Sequence, residues 1–177
     1  MQKKLVLCLA LVSSVFLLTG FRWFQKPDRI WLDEMDVSSM EQRFGAPQKN
    51  LTVEKKTMRI HGKKYKRGVG THAHSLFTID LKGNAKAFES GFGLDDEIGK
   101  ENGSVVFRIY VDEKKVFESD VFSREANKEA GHVRLDLNGA KRLDLIVADA
   151  GDGINYDHAN WVNTWIELKD IKGARPE

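Results

Sequence analysis

Three short stretches of the sequence concentrate side chains that could do chemistry. They are Gly68–Ser75, Asp95–Glu97 and Asp149–Trp161. In the last of them, His158 and Trp161 stand beside several carboxylates. Carboxylates, amides and imidazoles can pair with sugar hydroxyls, which both donate and accept hydrogen bonds, and an aromatic ring can cover the apolar face of a sugar. These residue types suggest sugar binding. The alternative is that Trp161, at the start of a strand, only packs in the core or at its rim.

Two of these stretches also raise the question of a metal ion. His72 and His74 are two residues apart and would point the same way on an extended chain, but no third ligand follows at close range. The alternative is one buried, hydrogen-bonded histidine and one exposed histidine. In the oxygen-rich loop further on, Asp149 and Asp152 are candidate calcium ligands. The alternative there is a long turn whose side chains satisfy backbone amides.

No catalytic motif accompanies these groups. The sequence has no G-x-S-x-G elbow, no H-E-x-x-H helix, no glycine-rich phosphate loop and no cysteine–histidine pair. Asp95-Asp96-Glu97 could supply a carboxylate pair for glycoside hydrolysis, but adjacent acidic residues at a strand end are more often a solvated turn. We therefore expect a non-catalytic chain, with a glycoside hydrolase or a metalloenzyme as the weaker alternative.

Short strands must position these loops. Apolar residues alternate with polar ones in brief segments separated by turn residues, and no segment after the first forty residues keeps a helical apolar stripe. The predicted strands are Ile30–Met35, Phe77–Leu81, Phe88–Leu94, Val105–Val111, Val116–Phe117, Val133–Leu137, Leu143–Val147 and Trp161–Ile171. Ser38 and Glu41 have the spacing of a capping box and predict a turn or two of helix. The pattern as a whole predicts an all-β fold, an antiparallel β-sandwich or jelly roll.

The N-terminus is typical of a targeting segment. Lys3 and Lys4 precede an uncharged apolar run, and Thr19-Gly20 offers small residues for cleavage. We predict a signal peptide or an uncleaved membrane anchor over 1–20, a linker over 21–29, the domain over 30–172 and a tail over 173–177. The only cysteine, Cys8, lies in the targeting segment, so the domain is expected to lack disulfides. We expect an exported protein that is periplasmic, secreted or associated with the cell envelope.

The charge balance argues against a nucleic-acid partner. The chain has 28 basic and 26 acidic residues. Loss of residues 1–20 would remove two lysines and no acid, which leaves a domain with balanced charge. Nucleic-acid binders carry a marked excess of positive charge, so we set that class aside.

The same stretches, in the same order, resemble the NPCBM/NEW2 domain, which is related to family-51 carbohydrate-binding modules. The matching motifs are Trp31–Met35, Gly62–Ser75, Phe92–Glu97, Gly103–Phe107, Leu143–Val147, Asp149–Gly153 and Asp157–Trp161. The resemblance runs from about Ile30 to Ile171. His74 departs from it, because a proline or a small polar residue is expected at that place.

The resemblance implies a galactose-binding-domain-like jelly roll that recognises galactose-type terminal sugars through loops at one end, with calcium as a structural ion. The sugar-binding residues would be His72, Asp95, Asp96, Asp157, His158 and Trp161. The implied partners are a glycan ligand and a glycoside hydrolase. The alternative is a structural or protein-interaction module of the envelope, on the same fold, that binds an envelope protein and no sugar. The sugar hypothesis requires that the three stretches meet at one end of the sandwich.

Overall fold

The computed structural model describes residues 28–126 and 129–177, which form fourteen strands and two short 3₁₀ turns. The strands are β1 (Arg29–Trp31), β2 (Glu41–Gln42), β3 (Gln48–Lys49), β4 (Arg59–Ile60), β5 (Lys63–Lys64), β6 (Gly68–His72), β7 (Ser75–Asp80), β8 (Ala85–Leu94), β9 (Ser104–Val111), β10 (Lys114–Glu118), β11 (Phe122–Ser123), β12 (Gly131–Asp136), β13 (Arg142–Asp149) and β14 (His158–Leu168). The 3₁₀ turns are Leu32–Glu34 and Asp96–Ile98.

Two antiparallel sheets enclose the core. One has the strand order β12-β8-β14-β6-β3, with β1 also paired to β14, and the other has the order β10-β9-β13-β7-β2, with β11 also paired to β9. β4 and β5 form a separate hairpin. Both sheets contribute to one apolar cluster, whose largest fully buried side chains include Phe77, Phe88, Phe107 and Trp161. The predicted all-β antiparallel sandwich is confirmed.

The period-2 pattern placed most strands correctly. Gly68–His72, which was predicted to lie in a loop, forms β6, and the last strand runs over His158–Leu168 instead of Trp161–Ile171. Further errors lie near the N-terminal end of the domain. The strand predicted over Ile30–Met35 ends at Trp31, where a 3₁₀ turn begins. The helical turn predicted after Ser38 is wrong. The Asp36 carboxylate accepts a hydrogen bond from the Ser38 main-chain N–H at 2.9 Å, and Glu41–Gln42 pairs with β7. The main-chain groups that would form helical hydrogen bonds instead bond to the Asp36 side chain and to β7.

The ends of the chain bear on the predicted domain boundaries. The predicted signal or anchor segment lies outside the described residues, as does most of the linker, so both stay predictions. β1 begins at Arg29, one residue before the predicted start of the domain. At the other end, the main chain of Glu177 exchanges two hydrogen bonds with Asp80, which ties the tail to β7. Within 28–126 and 129–177, no helix has the length and apolar character needed to cross a bilayer.

One end of the sandwich gathers the three stretches that carry functional groups. The register places His158 opposite His72 and Ala159 opposite Leu94 in the first sheet. In the second sheet it places Asp149 opposite Val105. β6, β8 and β13 therefore end where β9 and β14 begin. Antiparallel pairing thus brings the segments around residues 72, 95 and 157 together.

Candidate functional site

A hollow of about 550 Å³ opens to solvent at this end, and we call it the loop-end pocket. Its lining residues are Phe44, Glu54, His72, Glu97, Ile98, Ile154, Asn155, Tyr156 and His158. The lining comes from the β2–β3 connection, the loop before β4, the turn after β8 and the loop before β14. Of the six residues predicted to bind sugar, His72 and His158 line the pocket, and Asp95, Asp96, Asp157 and Trp161 do not.

The two histidines form a pair because they sit opposite each other in the β6–β14 ladder. Their ring centroids are 5.1 Å apart. The Nδ1 atom of His72 lies 2.6 Å from the carbonyl oxygen of Ala73. Since a carbonyl oxygen only accepts, Nδ1 carries the proton and Nε2 is left as an acceptor. Burial lowers the pKa of His72, with a smaller contribution from the nearby His158, which keeps this ring in its neutral form.

Glu97 orients the second histidine. Its Oε1 atom lies 2.7 Å from Nδ1 of His158, and its Oε2 atom accepts a hydrogen bond from the Thr52 hydroxyl at 2.6 Å. Burial by itself would raise the pKa of Glu97, but the hydrogen bonds from His158 and Thr52 outweigh it and the pKa is lowered. Glu97 is therefore a buried carboxylate that fixes the ring of His158 at the pocket wall.

Asp95 and Asp96 hold the backbone around the pocket in place. Asp95 is buried and accepts hydrogen bonds from the main-chain N–H groups of Arg59 and Glu97 and from the side chain of Asn160. Burial raises the pKa of Asp95. Asp96 accepts from two main-chain N–H groups in the turn between β4 and β5. Neither residue lines the pocket, so the structure gives both a positioning role.

Asp157 is buried directly behind the pocket. Its Oδ1 atom accepts a hydrogen bond from the Ser104 main-chain N–H at 2.9 Å, and its Oδ2 atom has no partner among the described residues. Burial raises the pKa of Asp157 to about 7, and the charges of Asp152 and Asp149 add to this. The carboxylate thus lies in an apolar and negatively charged environment.

The proposed calcium ligands have other partners. Asp149 lies 3.3 Å from Nε2 of His74, and Asp152 accepts a hydrogen bond from the Ser104 hydroxyl at 2.8 Å. Their hard oxygen atoms and the unpartnered Oδ2 of Asp157 have the chemistry that calcium prefers. In the described part of the chain, however, no three His, Cys, Asp or Glu side chains are grouped so that they could hold a metal. Calcium stays a prediction.

Trp161 lies in the core and cannot stack on a ligand in the pocket. It is 0% exposed and packs against Phe92 and Phe107, with ring centroids 5.9 Å and 5.0 Å away. Residues of a strand alternate between its two faces. His158 faces the pocket, so Trp161, three positions later, must face the other way. The structure corrects the prediction that assigned both side chains to one sugar site.

Two aromatic residues that the sequence did not single out line the pocket together with the histidine pair. Phe44 is 48% exposed and Tyr156 is 47% exposed, and both line the pocket. The Phe44 ring centroid lies 4.9 Å from that of His72 and 6.0 Å from that of His158. The only signal in the sequence was an aromatic residue inside a turn-rich polar segment.

His72 and His74 have separate surroundings. His72 contacts Phe44 and His158, whereas His74 contacts Asp149. The two rings share no partner in these contacts, which match the alternative of one buried and one exposed histidine.

The loop-end pocket as a whole offers a neutral imidazole acceptor, a second imidazole fixed by a carboxylate, an amide from Asn155 and two exposed aromatic faces. This set suits a small ligand with several hydroxyl groups and an apolar face.

Comparisons with known proteins show which domain family the chain resembles. The model of the NPCBM/NEW2 domain family matches residues 28–167. An alpha-1,3-galactosidase B from Akkermansia muciniphila is 36% identical over 106 residues, which is 59% of this chain. That match covers only 13% of the relative, so the chain spans a small part of the enzyme's length.

Solved structures show the same fold. A CBM51 module from a Clostridium perfringens GH95 protein, in complex with methyl-galactose, aligns with a TM-score of 0.71 and 30% identity, covering 78% of this chain and 99% of that module. A second structure contains the M60 catalytic domain and two CBM51 domains of C. perfringens ZmpB. It aligns with a TM-score of 0.72 and 26% identity, covering 80% of this chain and 15% of the other.

Proposed function

This chain belongs to the NPCBM/NEW2 domain family, and from that premise we propose that it is a non-catalytic carbohydrate-binding module whose loop-end pocket holds a terminal galactose-type sugar. The observation that carries the proposal is the pairing of His72 and His158 beside the ring of Phe44, in a pocket that the exposed Tyr156 also lines. The related module in complex with methyl-galactose supports the choice of sugar.

Each group in the pocket has a role in this proposal. The Nε2 atom of His72 accepts a hydrogen bond from a sugar hydroxyl, because its Nδ1 proton is already donated to Ala73. His158 pairs with a second hydroxyl, and its orientation is set by Glu97. Tyr156 or Phe44 covers the apolar C–H face of the sugar ring. A shallow, open site of this kind should bind with a dissociation constant between about 1 mM and about 10 µM.

Titration calorimetry with methyl-galactose tests the proposal. We expect Tyr156→Ala to weaken binding by about tenfold, because an aromatic contact of this kind contributes roughly 1 kcal/mol beyond the area that it buries. We expect His72→Ala to weaken it at least as much through loss of the fixed acceptor. Glucose and N-acetylgalactosamine in parallel titrations would define the sugar preference.

Matched controls lie outside the pocket. Val121 is a similarly exposed apolar residue, and His132 is an exposed histidine on β12, so Val121→Ala and His132→Ala should leave the affinity unchanged. Absence of heat with every glycan would overturn the proposal, and so would equal losses in the pocket and control variants. Capture of an envelope protein that free sugars do not displace would favour the interaction module instead.

The wider setting is part of the same proposal. The relatives that share the domain include an enzyme that acts on galactosides and a protein with a catalytic domain. We therefore propose that the chain is exported and works beside a glycoside hydrolase on galactose-containing glycans. Calcium held by Asp149 and Asp152 is proposed as a structural ion, so the titrations are run both with calcium and with a chelator.

A further inference from the structure

The charges around the loop-end pocket restrict the kind of sugar that it can take. Two carboxylates line the pocket, and its lining contains no lysine or arginine. The Glu54 side chain is 43% exposed, whereas the Glu97 side chain is 3% exposed. A ligand in the pocket therefore lies near one solvent-accessible carboxylate and one buried carboxylate.

Lys56 is the lysine that contacts these carboxylates. Its ammonium group lies 2.7 Å from Glu54 and 3.8 Å from Glu97, and its side chain is itself well exposed to solvent. One positive charge is thus divided between two negative ones. The Lys56 ammonium group is already paired with Glu54, so Lys56 adds no uncompensated positive charge beside the pocket.

The loops behind the lining add to the negative charge. Residues 95–97 and 149–157 contain six acidic residues and no lysine or arginine. A calcium ion held by Asp149 and Asp152 would offset two of these charges, so the inference depends first on Glu54 and Glu97, which line the pocket. An anionic group on a ligand would meet an unfavourable potential from these carboxylates.

The hydrogen-bonding groups point to the same ligand chemistry. His72 presents an acceptor, since its only ring proton is used by Ala73. The carboxylates of Glu54 and Glu97 also only accept. A hydroxyl group of a ligand can donate to these three groups, whereas a carboxylate or sulfate group brings only acceptors and cannot pair with them.

We propose that the loop-end pocket admits uncharged sugars and rejects sugars that carry a carboxylate or a sulfate group. This inference rests on the proposed sugar site and adds the class of glycan to it. It assigns Glu54 as a residue that determines specificity by charge. Neutral galactose-type ends of glycans would be ligands, and uronic acids and acidic caps would not.

Three ligands of nearly the same shape test the inference by titration calorimetry at pH 7.5 in low salt. They are galactose, galacturonamide and galacturonate, and the last two differ in charge but hardly in size. We expect galacturonate to bind at least tenfold more weakly than galacturonamide. The difference should shrink at high salt, because ions screen charges at an open site.

Two variants test whether Glu54 causes the difference in affinity between galacturonamide and galacturonate. Glu54→Gln keeps the shape of the side chain and removes its charge. The ratio of the dissociation constants of galacturonate and galacturonamide should therefore decrease severalfold. Glu113→Gln makes the same change of net charge in the exposed β9–β10 turn, at the opposite end of the sandwich, and should leave this ratio unchanged.

The outcomes separate the two proposals. If galactose fails to bind, the proposed sugar site is wrong. If galactose binds and galacturonate binds as tightly as galacturonamide, the sugar site stands and selection by charge is overturned. If galactose binds but galacturonate and galacturonamide both fail to bind, the pocket selects ligands by shape and not by charge. This result also overturns the inference.

Discussion

His72 illustrates how a single hydrogen bond decides what a side chain can offer to a ligand. A free imidazole can present either a donor or an acceptor. The contact between Nδ1 and the carbonyl of Ala73 removes that choice, and burial holds the ring neutral. The neighbouring His158 is constrained by Glu97 instead. Two residues of one type thus present fixed and separately controlled groups at the pocket wall.

Asp157 makes the stability of the protein depend on pH. The pKa of its buried carboxyl is about 7, compared with 3.8 for an unperturbed group. The folded state therefore binds more protons between these values, and the contribution of Asp157 to stability falls as the pH rises from about 4 to about 7. Asp157→Asn replaces the ionisable carboxyl group with an amide and so removes this decrease in stability with rising pH. Between pH 4 and 8, the free energy of unfolding of the variant should rise relative to the parent by up to about 4 kcal/mol.

Urea unfolding of both proteins at several pH values measures this difference, and other titrating groups such as His72 cancel in the comparison. A carboxyl resonance of Asp157 that titrates near pH 7 would be the direct sign. Parallel stability curves for the two proteins, or a midpoint near 4, would contradict the assignment.

At the scale of elements, the pocket depends on strands that approach each other closely. A Cβ atom at Gly70 of β6 would lie 2.3 Å from the carbonyl oxygen of Leu51 and 2.6 Å from the Cα atom of Thr52. The missing side chain lets the segment that carries Thr52 and Glu54 lie directly on β6. Thr52 in turn donates to Glu97, so this contact connects the backbone packing to the position of His158.

Gly70→Ala should therefore lower the stability by about 1–3 kcal/mol, because the added methyl group meets rigid backbone, and should also weaken sugar binding. Thermal unfolding and calorimetry on the same variant check the two effects. Gly62→Ala is the matched control. That position has a φ of +79° and no neighbour within 4 Å, so it costs only the backbone penalty of roughly 1 kcal/mol and leaves binding intact. Equal effects of the two substitutions would contradict the role of the close approach.

At the scale of the whole molecule, one core joins both sheets, and the pocket lies outside it. Trp161 belongs to this core with Phe92 and Phe107, whereas Tyr156 stands exposed five residues earlier. Stability and binding are therefore assigned to different side chains of one chain segment.

Trp161→Phe should lower the free energy of unfolding by about 1–3 kcal/mol through lost core contacts and leave the affinity for methyl-galactose unchanged. Tyr156→Ala should do the reverse. Denaturant unfolding and calorimetry on both variants test this separation. A loss of binding in Trp161→Phe at a temperature where the variant is folded would show that the indole ring is part of the site after all.

The sequence by itself determined the all-β fold and the three stretches that meet at one end of the sandwich. Alternating apolar residues such as Phe77, Ile79 and Leu81 reflect burial of one strand face, which is a local property. The ordered motifs around His72, Asp95 and Asp157 also identified the loops that meet. Only the tertiary structure decided which side chains face the pocket. The face that a strand residue takes depends on the register with its partners, and this register sends His158 outward and Trp161 inward. Exposure of Phe44 and Tyr156 depends in the same way on neighbours distant in sequence. The only local signal, an aromatic residue in a turn-rich segment, does not distinguish an exposed ring from a buried one.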